Sequence, residues 1–323
     1  MKKRALSLLM ALVMVVGLLP ATVRAADSTL SGKGTFAEPY QLSSADDLKA
    51  FRDLVNGGEN PACAKLTANI DLDGEEWTPI TRLIGYLDGN GHTISGLTIK
   101  GGSYTNTGLI GELNGSIVNL NLDNVTIIGN ATAYGSSVGS LVGKIEVGSV
   151  SKIDNCTVSG MVSSAGSGAV NVGGLVGYVV GAYQVDTTLT INNCVSNVTI
   201  SGGSSNYVGG LVGFNVGAIT NSAADLPRLS LIMNSATCYA GSFVGYNEGT
   251  IDNSYGISMI ESNAPDGDTK IAGFAGYNTS VINSSYCATT LTSAGNGSKT
   301  YSFAPIEGGG SVKNSYYLNG GSY

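Results

Sequence analysis

The sequence predicts an all-β fold, a β-solenoid closed at its amino-terminal end by a short helical cap. A repeat with a period near 31 residues runs from about residue 107 onward, and its short apolar and β-branched pieces show no helical periodicity. Glycine is abundant at 47 residues and proline is scarce at seven, which is typical of strands joined by repeated tight turns. Stacked coils would pair every strand with the coil above or below.

Residues 1–25 have the pattern of a signal peptide. Lys2, Lys3 and Arg4 form a basic start, residues 6–19 are apolar, and small residues flank the cleavage position before Ala26. A retained membrane anchor is the alternative, but the apolar run is shorter than the roughly 18 residues that a spanning helix needs. We therefore expect a secreted chain, either extracellular or associated with the cell surface, with no membrane insertion after cleavage.

The charge of the exported chain argues against two classes of partner. Removing residues 1–25 takes away four basic residues and no acid, so the formal net charge of −7 becomes −11. Charged residues make up only 12% of the sequence. An acidic, sparsely charged chain is a poor partner for nucleic acid or an anionic membrane.

Residues 26–61 are predicted to form the amino-terminal cap, and residues 62–323 the solenoid. Ser43 or Ser44 can cap a helix, and Asn56-Gly57-Gly58 can end it. Its apolar face is formed by Leu48, Phe51, Leu54 and Val55. Such a cap covers the apolar core and the strand edge that a first coil otherwise exposes.

Each of the seven repeats begins with a short apolar run that ends in glycine. These runs occupy residues 108–111, 139–143, 173–177, 209–213, 241–245, 273–276 and, in decayed form, 304–307. A β-branched residue, any residue and an asparagine follow each run. We expect the glycines to supply positive φ at sharp turns, and the asparagines to adopt the left-handed conformation and stack their amides. The predicted ladder comprises Asn119, Asn155, Asn193, Asn221, Asn253, Asn283 and Asn314.

Aromatic residues follow the closing glycine in four consecutive repeats: Tyr178, Phe214, Tyr246 and Tyr277. If these rings face solvent, they form a strip that can stack on sugars, with an asparagine beside three of them. If they do not, they pack over a turn or on one another. They are the candidate ligand-binding residues. Tyr255, Tyr286 and Tyr316 form a second, looser candidate strip.

Few residues offer catalytic or metal-binding chemistry. The five cysteines have no zinc-site spacing, and we expect buried thiols, with Cys156 and Cys194 stacked. The acidic stretches 71–76 and 266–268 fit no calcium loop closely and are interpreted as solvated turns. The only histidine, His92, has no obvious partner. We therefore expect no catalytic residue, metal site or cofactor.

The repeat resembles the GLUG motif, named for its Gly-Leu-any-Gly core. The matching runs include residues 174–177 and 210–213, and residues 34–48 and 88–94 also look like parts of such regions. The resemblance covers roughly residues 32–323. It implies a right-handed parallel β-helix and an adhesin-like role in exported bacterial proteins, including regions of immunoglobulin A metalloproteases. The H-E-x-x-H motif of those metalloproteases is missing from this sequence.

The sequence thus predicts a non-enzymatic surface or matrix module that binds a host or matrix glycan or protein. A glycan-active β-helix enzyme is the first alternative, and it would require converging carboxylates. A structural spacer without a ligand is the second.

Overall fold

A computed structural model describes residues 30–130, 135–146, 151–165, 170–180, 189–202, 205–231, 237–263, 268–293 and 298–318. The predicted signal peptide lies outside the described residues. So do most of the two insertions that lengthen the second and third repeats, and part of the acidic stretch 266–268.

In the described part of the chain, three sheets of strands stack into a parallel β-solenoid, and every pairing between these strands is parallel. Sheet A contains fifteen strands: Tyr40–Leu42, Ala62–Leu66, Ile80–Asp88, Ile110–Val118, Val142–Ile145, Lys152–Asp154, Val176–Val179, Thr190–Asn192, Val212–Asn215, Ala218–Thr220, Val244–Asn247, Thr250–Asp252, Ala275–Asn278, Val281–Asn283 and Ser311–Lys313.

Sheets B and C complete each coil. Sheet B contains eleven strands: Ile70–Asp71, Thr93–Ser95, Thr98–Lys100, Asn121–Asn130, Thr157–Ala165, Val195–Gly202, Ala223–Asp225, Leu229–Leu231, Tyr255–Ser262, Tyr286–Ser293 and Tyr316–Tyr317. Sheet C contains seven: Asn106–Thr107, Ser136–Val138, Val170–Gly173, Ser205–Gly209, Thr237–Gly241, Asp268–Ala272 and Lys299–Tyr301. This architecture confirms the predicted fold class.

Sheet A divides at the strand Ile110–Val118. Its first half pairs with Val142–Ile145, and its second half pairs with Lys152–Asp154. From there on, each coil contributes one short strand after its glycine-ended run and another at its β-branched–x–Asn element. The two pieces of the sequence repeat are therefore two separate columns of strands on sheet A.

The helix α1 spans Ala45–Asn56 and packs on the first coils. Ser44 is its N-cap, and its side chain accepts a hydrogen bond from the backbone N–H of Asp47. Of its predicted apolar face, Leu48, Phe51 and Val55 are buried and Leu54 is half-buried. The described part of the chain contains no helix with the length and apolar character needed to cross a membrane.

The core is built from columns of like residues. The leucine of the Gly-Leu-any-Gly run is stacked coil upon coil, and its backbone N–H bonds to the carbonyl of the next coil. Phe243 and Phe274 continue this column, with ring centroids 4.7 Å apart and an interplanar angle of 9°. Phe303 lies 4.8 Å beyond Phe274 and ends the column among the described residues. The decayed last repeat therefore keeps its core position.

The asparagine turn has the predicted backbone conformation at six of its seven positions. Asn119, Asn155, Asn193, Asn221, Asn253 and Asn314 have φ between 48° and 56°. In the sixth repeat the positive φ, 48°, falls on Ser284 instead of the predicted Asn283. Asn283 pairs in register with Asp252, one position earlier. The prediction chose the wrong residue there because a serine occupies the turn and the asparagine precedes it.

The closing glycines have a different role from the one predicted. Gly177, Gly213 and Gly245 do not have positive φ. A Cβ on Gly213 would lie 2.5 Å from the carbonyl oxygen of Gly177 and 2.9 Å from the backbone nitrogen of Val172. Glycine is therefore required because the backbones of a sheet A strand and a sheet C strand in the preceding coil approach too closely for a side chain.

Candidate functional site

The four predicted aromatic residues share one register position of sheet A. Tyr178 pairs with Phe214, Phe214 with Tyr246, and Tyr246 with Tyr277. Phe214 and Tyr246 stack with centroids 4.8 Å apart, and Tyr246 and Tyr277 with centroids 4.7 Å apart. Tyr178 meets Phe214 edge-on at 5.0 Å and 84°. The spacing follows directly from that of parallel strands.

Sheet C adds two rings that the sequence analysis did not single out. Tyr207 and Tyr239 pair in register and lie 5.8 Å apart. Tyr207 lies 5.3 Å from Phe214, and Tyr239 lies 4.8 Å from Tyr277. We call the six residues Tyr178, Tyr207, Phe214, Tyr239, Tyr246 and Tyr277 the aromatic face. The sequence does contain a pattern that could have indicated these two rings, because a tyrosine stands before the apolar run in two consecutive repeats, at positions 207 and 239.

The rings of the aromatic face are half-buried, and they also pack on one another. Phe214, Tyr246 and Tyr277 form a near-parallel stack whose neighbouring centroids are less than 5 Å apart. No sugar ring fits between planes at that distance. A partner therefore meets mainly ring edges and phenol hydroxyls. Of the two predicted arrangements, the stack corresponds to the one in which the rings pack on one another.

A buried cation lies at one end of the aromatic face. The Nζ of Lys270 is 4.3 Å from the centroid of Tyr277 and 5.2 Å from that of Tyr239. The same ammonium lies 2.7 Å from Oε1 of Glu307. Cation–π contact and the ion pair together fix the lysine, whose side chain is only 8% exposed.

The opposite end of the same register position is charged. Arg82 pairs with Glu112, Glu112 with Lys144, and Lys144 with Tyr178. Nζ of Lys144 lies 4.0 Å from Oε1 of Glu112, and the Arg82 guanidinium forms an ion pair with the Glu146 carboxylate at 2.6 Å. One line along the solenoid therefore changes from alternating charges to consecutive aromatic rings.

The phenol of Tyr246 is perturbed by its surroundings. Burial, followed by the nearby Glu248 carboxylate, raises its pKa well above the ordinary value. The hydroxyl therefore stays protonated, and it already shares a hydrogen bond with the Glu248 carboxylate.

The asparagines predicted beside the rings are not available to a ligand. Asn215, Asn247 and Asn278 are fully buried. The Nδ2 of Asn215 donates to Oδ1 of Asn247 at 2.8 Å, and the Nδ2 of Asn247 donates to Oδ1 of Asn278 at 2.8 Å. Each amide also donates to a carbonyl two residues further along its own turn. They form a second, internal ladder.

The second tyrosine strip lies on sheet B. Tyr255 pairs with Tyr286 and Tyr286 with Tyr316 in register. Tyr255 and Tyr286 stack at 5.1 Å, and Tyr316 is 68% exposed.

The thiols are built into the core. All five cysteines are free and buried. Burial raises the pKa of Cys287 to about 12 and that of Cys238 further. A hydrogen bond with Cys156, together with burial, raises the pKa of Cys194 well above its ordinary value. These thiols therefore stay protonated and are poor nucleophiles.

The other candidate groups remain dispersed. Among the described residues, no three histidine, cysteine or acidic side chains cluster closely enough to hold a metal ion. The Nδ1 of His92 lies 3.2 Å from Oδ1 of Asn69, and Asp71 accepts from the backbone N–H of Asp73 in its own turn. Glu75 bonds to Lys49 of α1.

Comparison with known sequences found partial matches, and no family model matches the chain. The chain is 30% identical over 191 residues to "Halomucin" of Haloquadratum walsbyi, covering 56% of this chain and 2% of that protein. It is 34% identical over 139 residues to a "Putative Gly-rich membrane protein" of Evansella cellulosilytica, covering 39% of this chain and 16% of that protein. These are names of surface or membrane proteins. The chain spans a small part of both relatives.

Two solved structures share the fold. A "putative immunoglobulin A1 protease" from Bacteroides ovatus superposes with a TM-score of 0.61 at 20% identity, covering 85% of this chain and 86% of that one. An "IgA1 Protease" superposes with a TM-score of 0.62 at 20% identity, covering 85% of this chain and 21% of that one. At this identity the likeness establishes the β-helix fold alone.

The names of these neighbours contradict the prediction that the chain is not an enzyme. Both of these structures are named as proteases. The missing H-E-x-x-H motif excludes one catalytic design and not the others. The exclusion of enzymatic activity is therefore withdrawn.

Proposed function

We propose that the chain is an exported, surface-associated adhesive module that binds a partner protein through the aromatic face. The observation that carries this proposal is the half-buried, contiguous packing of six rings on sheets A and C. Tyrosine edges and hydroxyls supply contact area together with hydrogen bonds, and they do so at low entropic cost when neighbouring rings already hold each other. The names of the relatives support a surface location.

A protein partner fits this surface better than a glycan does. Glycan recognition by aromatic residues uses open ring faces, whereas the faces of Phe214, Tyr246 and Tyr277 are directed at each other. A flat row of ring edges instead matches the tyrosine-rich centres of protein interfaces.

A role in proteolysis is the second candidate. It is favoured by the two structural neighbours named as IgA1 proteases. One of these neighbours is matched over only 21% of its length, so in that protein the solenoid is one part of a larger chain. In that role the solenoid would hold or cleave the protein substrate.

One experiment separates these candidates. The purified exported chain is tested by surface plasmon resonance against immunoglobulin A1, collagen, fibronectin and mucin, and each mixture is then examined by gel electrophoresis for cleavage. Adhesion predicts binding without cleavage and a loss of about tenfold or more in affinity for the double variant Tyr246→Ala/Tyr277→Ala. The matched control is Tyr255→Ala/Tyr286→Ala, which removes a stacked pair from sheet B.

Cleavage of immunoglobulin A1 that persists through purification would replace adhesion by the second candidate. Binding that survives the sheet A double variant and fails in the sheet B control would move the site away from the aromatic face.

A further inference from the structure

The outer side of sheet B carries a polar groove that is separate from the aromatic face. Thr93, Asn121 and Thr157 occupy one register position on three consecutive strands. Asp123, Ser159 and Asn197 line the groove beside them, which has a volume of about 310 Å³. Asp123, Thr157 and Asn197 are exposed.

A β-bulge shapes this groove. The register of the strands Asn121–Asn130 and Thr157–Ala165 shifts between Val158 and Gly160. Asn124 adopts a φ of 53°, and its backbone N–H bonds to Oγ of Ser159 at 3.3 Å. That same hydroxyl donates to the carboxylate of Asp123, so the bulge holds Asp123 in place at the groove. Bulges of this kind re-aim side chains and are common next to binding sites.

The lining of the groove ends at Val195 and Asn197, but the same register position continues along the solenoid. Thr157 is followed by Val195 and Ala223, and then by the second tyrosine strip. Tyr286 is 38% exposed and Tyr316 is 68% exposed. Ala223 is buried, so Val195 forms a short apolar step there. A linear ligand aligned with the solenoid axis would therefore meet carboxylate and amide groups first, this apolar step next, and phenol hydroxyls last.

The side chains along this register position of sheet B favour one class of ligand. Carboxylate and amide side chains pair with hydroxyl groups as acceptors and donors, and the short apolar step accommodates the carbon face of a sugar ring. Asp123 and Asp225 are both exposed on this sheet, and the Asp225 carboxylate is close enough to contribute to the raised pKa of Tyr255, after burial and Tyr286. An acidic polymer would be repelled there.

From this arrangement we propose that the outer side of sheet B binds a linear, neutral polysaccharide, with Asp123, Thr157 and Asn197 as its hydrogen-bonding subsite. This site is independent of the partner protein proposed for the aromatic face.

Affinity gel electrophoresis tests the proposal with the purified exported chain. The gels contain glucomannan, mixed-linkage β-glucan or galactomannan as neutral probes, and polygalacturonate as the acidic one. At least one neutral polymer should retard the wild-type chain, and polygalacturonate should not. Asp123→Ala and Asn197→Ala should each lower the association constant about tenfold, because each removes a hydrogen bond to a hydroxyl.

Tyr246→Ala, on the aromatic face, is the matched control and should be retarded like the wild type. Asn197→Ala and Thr157→Val alter exposed side chains, so circular dichroism can confirm that they fold even if Asp123→Ala does not. The proposal is overturned if no neutral polymer retards the wild type, if polygalacturonate does, or if the sheet B variants are retarded normally. Loss of retardation in Tyr246→Ala alone would assign the glycan to the aromatic face instead.

Discussion

The side-chain amide of Asn215 donates to the side-chain oxygen of Asn247 in the next coil at 2.8 Å, and both residues are fully buried. Asn247 in turn donates to Asn278 and to the carbonyl of Gly249. A buried polar chain of this kind stabilises the fold only while every member keeps its partners.

Replacing Asn247 with alanine should therefore be severe. The substitution removes both the oxygen that accepts from Asn215 and the amide that donates to Asn278. The two remaining side chains are fully buried, so water cannot replace the lost partner. We expect a loss of about 3 kcal/mol in the free energy of unfolding, measured by urea denaturation. Asn197→Ala, at an exposed position of sheet B, should change it by less than about 0.5 kcal/mol. Equal effects for the two variants would show that the internal ladder contributes nothing.

Two glycines can show whether the need for glycine comes from steric contact with a neighbouring backbone or from a positive φ. Gly213→Ala places a Cβ 2.5 Å from the Gly177 carbonyl oxygen and should cost about 3 kcal/mol of stability through overpacking. Gly91 has a φ of 80° and an open surrounding, so Gly91→Ala should cost about 1 kcal/mol from its backbone conformation alone. The unfolding midpoints of the two variants in urea decide between the causes. A smaller loss for Gly213→Ala would contradict the packing explanation.

The serine in the sixth turn is an opportunity for stabilisation. Ser284 has a φ of 48° between Asn253 and Asn314, and asparagine tolerates that region better than serine. We expect Ser284→Asn to raise the free energy of unfolding by about 0.5 kcal/mol, and Asn253→Ser to lower it by a similar amount. Thermal unfolding of both variants measures this, and shifts in the same direction would disprove the assignment.

The pKa of Tyr246 makes stability depend on alkaline pH. Because its pKa is raised in the folded chain, both states are protonated below the ordinary value of 10.0, and the contribution is complete there. Above that value the unfolded chain loses its proton first, so folding stability falls as pH rises. The urea midpoint should drop as the pH rises above about 10, and it should drop less steeply in Tyr246→Phe. Identical slopes would show that Tyr246 is not the titrating group.

The fold could be predicted from the sequence because the repeat reflects a backbone conformation that recurs in every coil. A residue that tolerates positive φ is needed once per coil, so asparagine at that turn is visible as a period. The sixth repeat shows where this prediction fails. Serine occupies the position with positive φ, and the asparagine that precedes it fits the sequence pattern although it does not form the turn.

The candidate site was only partly predictable, because it depends on relations between coils. The positions of Phe214 and Tyr246 follow from the repeat, but the approach of Tyr207 to Phe214 depends on how closely sheets A and C pack. The Asp123 bulge has no periodic signal, since it interrupts the register of a single pair of strands. The burial of Asn215 also required the structure, because an asparagine beside an aromatic residue looks equally suitable for a ligand.

The line that passes from Arg82 and Glu112 through Lys144 to Tyr178 gives the solenoid a direction. In a perfectly uniform repeat, a long partner could shift by one coil and find the same contacts again. Here a shift of one coil exchanges a charge for a ring where Lys144 is followed by Tyr178, so a partner that spans this step cannot shift without losing contacts. A partner that spans both the charged and the aromatic positions is therefore bound in one alignment and one orientation. Adding or deleting a coil between these positions would change the distance between them and break that match.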